Sequence, residues 1–464
     1  MSILEAGEVR DFFRQHVITT HGVVRFANRI SLTRHFSRRQ PIDDQSTSTF
    51  IIELARNLHA SGSPAYELDQ RMETVARSLG NPAAFFSTPT AIFVTFESRP
   101  ESTRLIRVYP VDVNLAKYAR LYELQREIDE ESLSITEAWR RLQDIEHCND
   151  EYPMWLNIVA FGLAGSTIAV LIGGNEIVQV SAAFVGSIVG IVVSILLRCN
   201  FPAHLVNVVA GFIAMIFAGA IHAFFPGGSV VLTVTSALVV LLPGLQLTVS
   251  VNELATQNLA SGSARFAGAM TTLLTMIFGV VMGNGFITTL INVPASSLPV
   301  PPDMIRSSLV LLPITVAFGI LFRGRILDGF WILLSTVIAF VSLRGASEIL
   351  GPFGAVAVAA LIVGVSSNLF ARWKGLPSAI MLMPGLLLLV PGSLGFFGMS
   401  AMMIGDDFPG GVRLIANMML TAVSIVAGLL LAGVVSPAEE AASTWRTATS
   451  PAPLADERAF DNDK

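Results

Sequence analysis

The chain has 464 residues, of which 52% are hydrophobic and 14% charged, with a net charge of −5 and a mean hydropathy of +0.61. Soluble domains carry roughly 25% charged residues, so a wholly water-soluble protein is excluded, and the slight negative balance argues against nucleic acid as a partner. The two cysteines, Cys148 and Cys199, offer neither a disulfide framework nor a metal-ligand spacing, and no cofactor is expected.

Residues 1–46 form a basic segment carrying Arg10, Arg14, Arg25, Arg29, Arg34, Arg38 and Arg39. It lacks the apolar stretch of a cleaved signal peptide, and Arg38-Arg39 leads into Gln40-Pro41 and not into a hydrophobic run. A flexible or membrane-surface tail is expected. Residues 47–150 read as a compact α+β domain. Ile51, Leu54, Ala55 and Leu58 recur at helical spacing, as do Leu68, Met72, Val75, Ala76 and Leu79. The first helix breaks at Ser61-Gly62-Ser63-Pro64 and the second at Gly80-Asn81-Pro82. Short strands are predicted around Phe85-Phe86, Ile92 to Phe96 and Leu105 to Val108. Two amphipathic helices follow, the last capped by Ser134 with Glu137 at capping-box spacing.

From Met154 the pattern changes. A membrane span needs about 20 mainly apolar residues, and such stretches occur near 154–172, 176–198, 203–225, 229–250, 265–290, 305–323, 327–344, 347–371, 376–400 and 411–435. The expected fold is therefore a polytopic α-helical membrane protein of about ten spans, preceded by the small domain and followed by a disordered tail over 437–464. With the N-terminal domain cytoplasmic, the inner loops hold Arg198, Arg265, Arg323, Arg325, Arg372 and Lys374. The outer loops then hold Glu176, Asp303, Arg306, Arg344, Glu348, Asp406, Asp407 and Arg413. This charge bias places both termini in the cytoplasm; the inner membrane is the expected location.

The Pro-Gly pairs at 243–244 and 391–392 are 148 positions apart, and the same offset lays Gly227 on Gly375. It divides the bundle into two five-helix halves, 151–295 and 296–436. An odd number of spans per half inverts the second relative to the first. Proline removes a backbone donor and glycine loosens the chain, so each pair breaks its helix. Such backbone is tolerated at membrane depth only inside protein or beside a wet cavity. Paired breaks point to a transporter's binding site, the bland alternative being kinks that only shape packing.

Polar residues crowd behind the first break: Gln246, Thr248, Ser250, Asn252, Glu253 and Asn258. An intramembrane carboxylate is a functional candidate by default, as proton carrier or cation acceptor, and an interfacial structural Glu is the alternative. Asn157, Asn207, Asn284 and Asn368 read as interhelical glue. His204 and His222 sit at opposite ends of one span, where solvent-facing roles outweigh proton relay. Small residues, as at Gly186–Gly190, form packing surfaces. His59 with Ser61 and Ser63 lacks any hydrolase elbow, and no phosphate-binding loop marks an ATP-driven pump.

The string LHASGSPAYELDQRM over 58–72, VARSLG over 75–80, FSTPTAIFV over 86–94 and LIRV over 105–108 form an ordered set. With LPGLQLTVSVNELA over 242–255 and SGSAR over 261–265, this set resembles the threonine/serine exporter family across residues 48 to 435. The resemblance implies a cytoplasmic N-terminal domain, about ten spans and proton-driven efflux of amino acids. It carries Gly62, Pro243, Gly244, Glu253, Arg265, Pro391 and Gly392 as motif positions. Where many members have Arg soon after the motif glycine, this chain has Glu67, which puts any ionic contact of that Arg in question here.

The leading expectation is a secondary transporter, not an enzyme, exporting a small amino acid by proton antiport. Its partners are the bilayer, the substrate and protons, and a homo-oligomer is compatible with it. A zwitterion needs an anion site and a cation site close together. Half-helix N-termini after the breaks offer amides and dipole to a carboxylate. Glu253 offers a partner for an ammonium or a proton, and Gln246, Ser250 and Asn252 could read a hydroxyl. Gly62 and Arg265 are assigned structural or gating roles. Two alternatives stay open: export of a four-carbon dicarboxylate such as succinate, and an enzyme or regulatory module in residues 47–150 with the bundle as anchor.

Overall fold

The computed structural model describes residues 44–109, 113–130, 133–148, 152–292, 304–405 and 407–437. Apart from 44–46 and 437, both tails lie outside the described residues, as do Asp303 and Asp406. The N-terminal region opens with helices α1 (Asp44–Ala60) and α2 (Ala65–Ser78). An antiparallel sheet follows, β1 (Ala83–Thr88), β2 (Ala91–Phe96) and β3 (Thr103–Arg107) in that spatial order, then α3 (Leu115–Asp129) and α4 (Ile135–Glu146). The predicted stripes face inward: Ile51, Leu54, Leu58, Leu68, Met72 and Val75 are fully buried together with Ile92 and Val94 from the sheet. Strand periodicity sends the alternate residues outward, so Phe86, Phe93 and Leu105, paired across the three strands, line an open face. Gly80 closes α2 with φ +70°, a left-handed cap suited to glycine. Ser134 Oγ accepts the Glu137 amide at the start of α4, as its spacing predicts.

The bundle begins with α5 (Met154–Leu171), α6 (Glu176–Arg198) and α7 (Ala203–Phe224). A broken segment follows: α8 (Val230–Ala237), a 3-10 turn at Val239–Leu241, and α9 (Gly244–Ala255). Then come α10 (Leu259–Leu290), α11 (Met304–Leu309), α12 (Leu311–Leu321) and α13 (Gly329–Lys374). A second broken segment, α14 (Ala379–Leu389) and α15 (Gly392–Met403), precedes α16 (Phe408–Val435). Among the described residues, eight helices are long and apolar enough to cross a membrane, or nine when the pair over 230–255, bent by 53°, counts as one. Lipid tails give no hydrophobic push between helices, so small residues let backbones meet. A Cβ on Gly186 would stand 2.9 Å from the Phe161 carbonyl, and one on Gly283 2.8 Å from that of Phe212.

Helix α13 corrects one expectation. Its 46 residues would run roughly 70 Å at 1.5 Å each, about twice a hydrocarbon core. The backbone turns at Gly351, with φ 68° and ψ −178°, followed by Pro352. The loop expected at 344–347 is thus helical, and the turn comes some residues later. Arg344 and Glu348 stay on exposed helix surface, while only Gly351 adopts the left-handed φ there.

The N-terminal region docks on one end of the bundle, here called the near end. The first amides of α3, Leu115 and Ala116, donate to the carbonyls of Phe322 and Arg323, at 2.9 and 3.2 Å, just past the C-terminus of α12. Orphan donors of one helix start thus meet orphan acceptors of another helix end, dipole against dipole. Arg126 Nη1 donates to the Gly375 carbonyl at 3.0 Å, and Arg325 bridges Glu123 and Asp328, each at 3.0 Å. Burial opposes the charge on Arg325, but the two carboxylates outweigh it and hold its pKa above the ordinary value. Ala379 and Met383 of α14 extend the N-terminal core into the bundle.

Candidate functional site

The two Pro-Gly breaks adopt nearly the same backbone. Leu242 and Val390 are extended, with φ/ψ −64°/128° and −68°/135°. Pro243 and Pro391 follow at −79°/36° and −81°/12° and start the second half-helices. Gly227 and Gly375, paired by the same offset, both take positive φ, +105° and +61°. Extended backbone before a proline is its steric preference, and the missing donor with the ring's clash favours a kink or break there. The breaks touch one another. A Cβ on Gly244 would lie 3.1 Å from the Gly392 amide, and a Cβ on Gly392 would lie 3.1 Å from Gly244 Cα. No side chain fits between them, so the N-termini of α9 and α15 start from one buried point. Their leading amides have no carbonyl a turn earlier in their own helices.

From that point α9 runs to the near end. Gln246, Ser250 and Glu253 share a helix face, while Asn252 lies off it. Gln246 is exposed, Asn252 half-buried, and Ser250 and Glu253 fully buried. Ser250 Oγ donates to the Leu247 carbonyl at 2.7 Å within its own helix. The breaks and the polar stripe are therefore not one cluster: the predicted residues divide between the crossing point and a second centre at Glu253.

That second centre joins three distant segments. Glu253 Oε1 accepts the backbone amide of Ala65, 3.2 Å away at the first turn of α2. Its Oε2 accepts Ser261 Oγ at 2.9 Å and Arg265 Nε at 3.1 Å, both from α10. Charge-assisted hydrogen bonds contribute about 1.5–3 kcal/mol each, and a buried carboxylate needs such partners to remain charged. Two glycines make the approach possible. Gly62 turns the chain with φ +102° before α2, and a Cβ on Gly262 would lie 2.9 Å from the Leu254 amide. Glu67 has local partners: its Oε1 accepts Arg71 Nη2 at 2.6 Å and the Tyr118 hydroxyl at 2.8 Å.

His59 and Asp69 border this centre. His59 Nε2 donates to the Thr88 carbonyl at 2.9 Å. Burial lowers its pKa below the ordinary value, against the Thr88 carbonyl, and the nearby Arg265 charge lowers it further. Burial also raises the Asp69 carboxyl, opposed by hydrogen bonds from the Ser87 hydroxyl and amide. Apart from the dismissed grouping of His59 with Ser61 and Ser63, the pointer to both residues is the LHASGSPAYELDQRM string over 58–72, which contains them. Asn368 fits its expected role, donating to the Ser436 carbonyl at 2.7 Å. His222 does not face solvent: it is fully buried, because Thr233 and the 225–229 turn close over it. The His204 side chain lies outside the described residues.

Two family models of threonine/serine exporters match the chain, one over residues 49–287 and the other over 308–435. The first covers more than half of the sequence. A threonine/serine exporter of Corynebacterium glutamicum is 26% identical over 69% of this chain and 67% of its own. Pheromone-regulated membrane protein 10 of Candida albicans is 24% identical over 79% of this chain and 34% of its own length. Its namesake in Eremothecium gossypii is 21% identical over 74% and 48%. The chain thus spans less than half the length of these fungal relatives. No solved structure matches. With both broken segments and the Glu253 centre inside the matched ranges, the chain belongs to the threonine/serine exporter family of multi-pass membrane transporters.

Proposed function

We propose that the protein exports a small amino acid such as threonine or serine, driven by proton entry, through two inverted five-helix halves. Taking the two limbs of α13 on either side of Gly351 as separate spans, with each broken pair as one, makes ten. The matched conformations at 242–243 and 390–391 support the repeat. In this reading the N-terminal region and both termini are cytoplasmic, in the inner membrane, and the near end is the cytoplasmic end.

The observation that carries the reading is the meeting of two half-helix starts at Gly244 and Gly392. Two sets of unpaired amides aimed from one buried point suit a carboxylate. Glu253, one half-helix away, is the coupling carboxylate. In the closed state it is satisfied by Ala65, Ser261 and Arg265; taking up a proton or a substrate ammonium weakens those bonds and frees α2. Opening thus draws on the N-terminal region as a gate, with Gly62 as its turn. Gln246, Ser250 and Asn252 read the substrate's hydroxyl as α9 turns.

The test is efflux from preloaded proteoliposomes, comparing threonine, serine and succinate with and without a pH gradient. Gradient-stimulated efflux of threonine or serine is expected. Efflux indifferent to the gradient, or of succinate alone, would overturn the assignment.

A further inference from the structure

His222 closes α7 with no exposed surface. The tautomer of its ring is assigned from the hydrogen bonding. His222 Nε2 lies 2.7 Å from Thr233 Oγ1 on α8. The Thr233 hydroxyl has one proton, and it goes to the Ser229 carbonyl at 3.0 Å. Thr233 can then only accept, so Nε2 is the N–H and Nδ1 is the bare nitrogen of a neutral ring. That nitrogen is buried and has no partner among the described residues. A buried polar atom left alone is uncommon and calls for a reason.

The covering turn is tight. A Cβ on Gly228 would stand 2.8 Å from Nδ1. Gly227, with φ +105°, is held by Asn175 Nδ2 donating to its carbonyl at 2.7 Å. Among the described residues, the buried hydroxyls of Ser236 on α8 and Ser400 on α15, the contacting half-helices on the far side of the breaks, also lack partners. Among the described residues, α5, α8 and α10 bring no charged group to this end, and α6 brings only Glu176, which is exposed.

We propose that His222 is the proton-accepting group at the far end of the carrier. The inference rests on the proton-driven reading above. A hydronium ion reaching the far end gives its proton to Nδ1, leaving water and an imidazolium with two N–H groups. The closed site offers the ring the Phe225 carbonyl but no carboxylate to balance the charge, so the buried cation is stable only once the 225–229 turn opens to water. Because Nε2 is tied to Thr233, that movement pulls on α8 and reaches the first break. The unpartnered hydroxyls of Ser236 and Ser400 mark the hydrated route beyond it.

The test uses the full-length protein in proteoliposomes, loaded with whichever of threonine, serine or succinate the wild type moves. The readout is the ratio of initial efflux at outside pH 6 to that at pH 8. A purely structural His222 would change both rates and leave the ratio alone. His222→Gln keeps a donor for Thr233 but cannot take up the proton; its ratio is expected to fall at least fivefold, toward one. Thr233→Val, which keeps the imidazole but cuts its tie to α8, is expected to lower the ratio as well, and a wild-type ratio there overturns the transmission through α8. A wild-type ratio in His222→Gln overturns the proposal, and His222→Asn is measured the same way should the first variant fail to insert. A wild-type ratio near one removes proton coupling itself, and this proposal with it.

Discussion

The two breaks share a backbone but not a chemistry. Behind Pro243-Gly244, α9 carries Ser250 and Glu253, and its carboxylate is held by three donors from α2 and α10. Behind Pro391-Gly392, α15 is built of Gly395, Phe396, Gly398 and Ser400, all buried, with no charge and one hydroxyl unpartnered. On the proposed two-half reading, a matched pair of bends is enough to form the crossing point, and ion handling is placed on one half alone. The difference also separates the ends: the near end holds a buried carboxylate in three hydrogen bonds, whereas the far end, among the described residues, buries the imidazole of His222 and the hydroxyls of Ser236 and Ser400 with atoms left unpartnered.

The largest test of that asymmetry is Glu253→Gln, which is expected to abolish proton-coupled efflux while membrane insertion, followed by fractionation, stays normal. Normal coupled efflux would remove Glu253 from the mechanism. Next come Gly244→Val and Gly392→Val. If the crossing is shared equally, each side chain meets the other break, and both should cost about 1–3 kcal/mol or more, seen as matching drops in thermal stability in detergent. Unequal losses would show that one break tolerates separation. Arg265→Gln leaves a buried carboxylate short of a charged donor, an expected loss of about 1.5–3 kcal/mol, read as earlier protease cleavage near residue 64. Ser250→Ala, whose hydroxyl bonds only its own helix in the closed state, should stay within about 0.5 kcal/mol in stability; substrate affinity in the same variant tests its proposed reading of the hydroxyl.

The smallest expected effect concerns pH. His59 has a folded pKa below its ordinary 6.5. Stability tied to neutral His59 is therefore full above about pH 6.5 and is lost as pH falls through the lowered folded value. Thermal stability should drop between pH 7.5 and 5.5, and less so in His59→Gln. An equal drop in that variant would place the sensitivity elsewhere, Asp69 excepted: its raised carboxyl favours the protonated form, so its contribution moves the opposite way.

Helix positions were legible because hydropathy and Gly/Pro punctuation are local signals. Leu54, Leu58, Leu68 and Met72 announced their buried faces by spacing alone. The turn at Gly351 was misplaced because Arg344 and Glu348 looked like loop residues, although charged side chains can ride an exposed helix surface at a span's end. The Glu253–Ala65 contact joins positions 188 apart, and no periodicity encodes such a pairing. The place of His222 at a helix end suggests a solvent-facing side chain. What buries it is a hydroxyl eleven residues on and a glycine turn folding back, information that exists only in three dimensions.

The meeting of the α3 amides with Phe322 and Arg323 also sets a schedule for biosynthesis. The ribosome makes the acceptor carbonyls about 200 residues after the donors, a delay of roughly 10–40 s at ordinary elongation rates. Through that interval the N-terminal region can form its sheet and most of its core, but its docking amides must stay hydrated. Pairing waits until α12 has entered the membrane, so correct insertion of the bundle is a precondition for finishing the part of the chain that was made first.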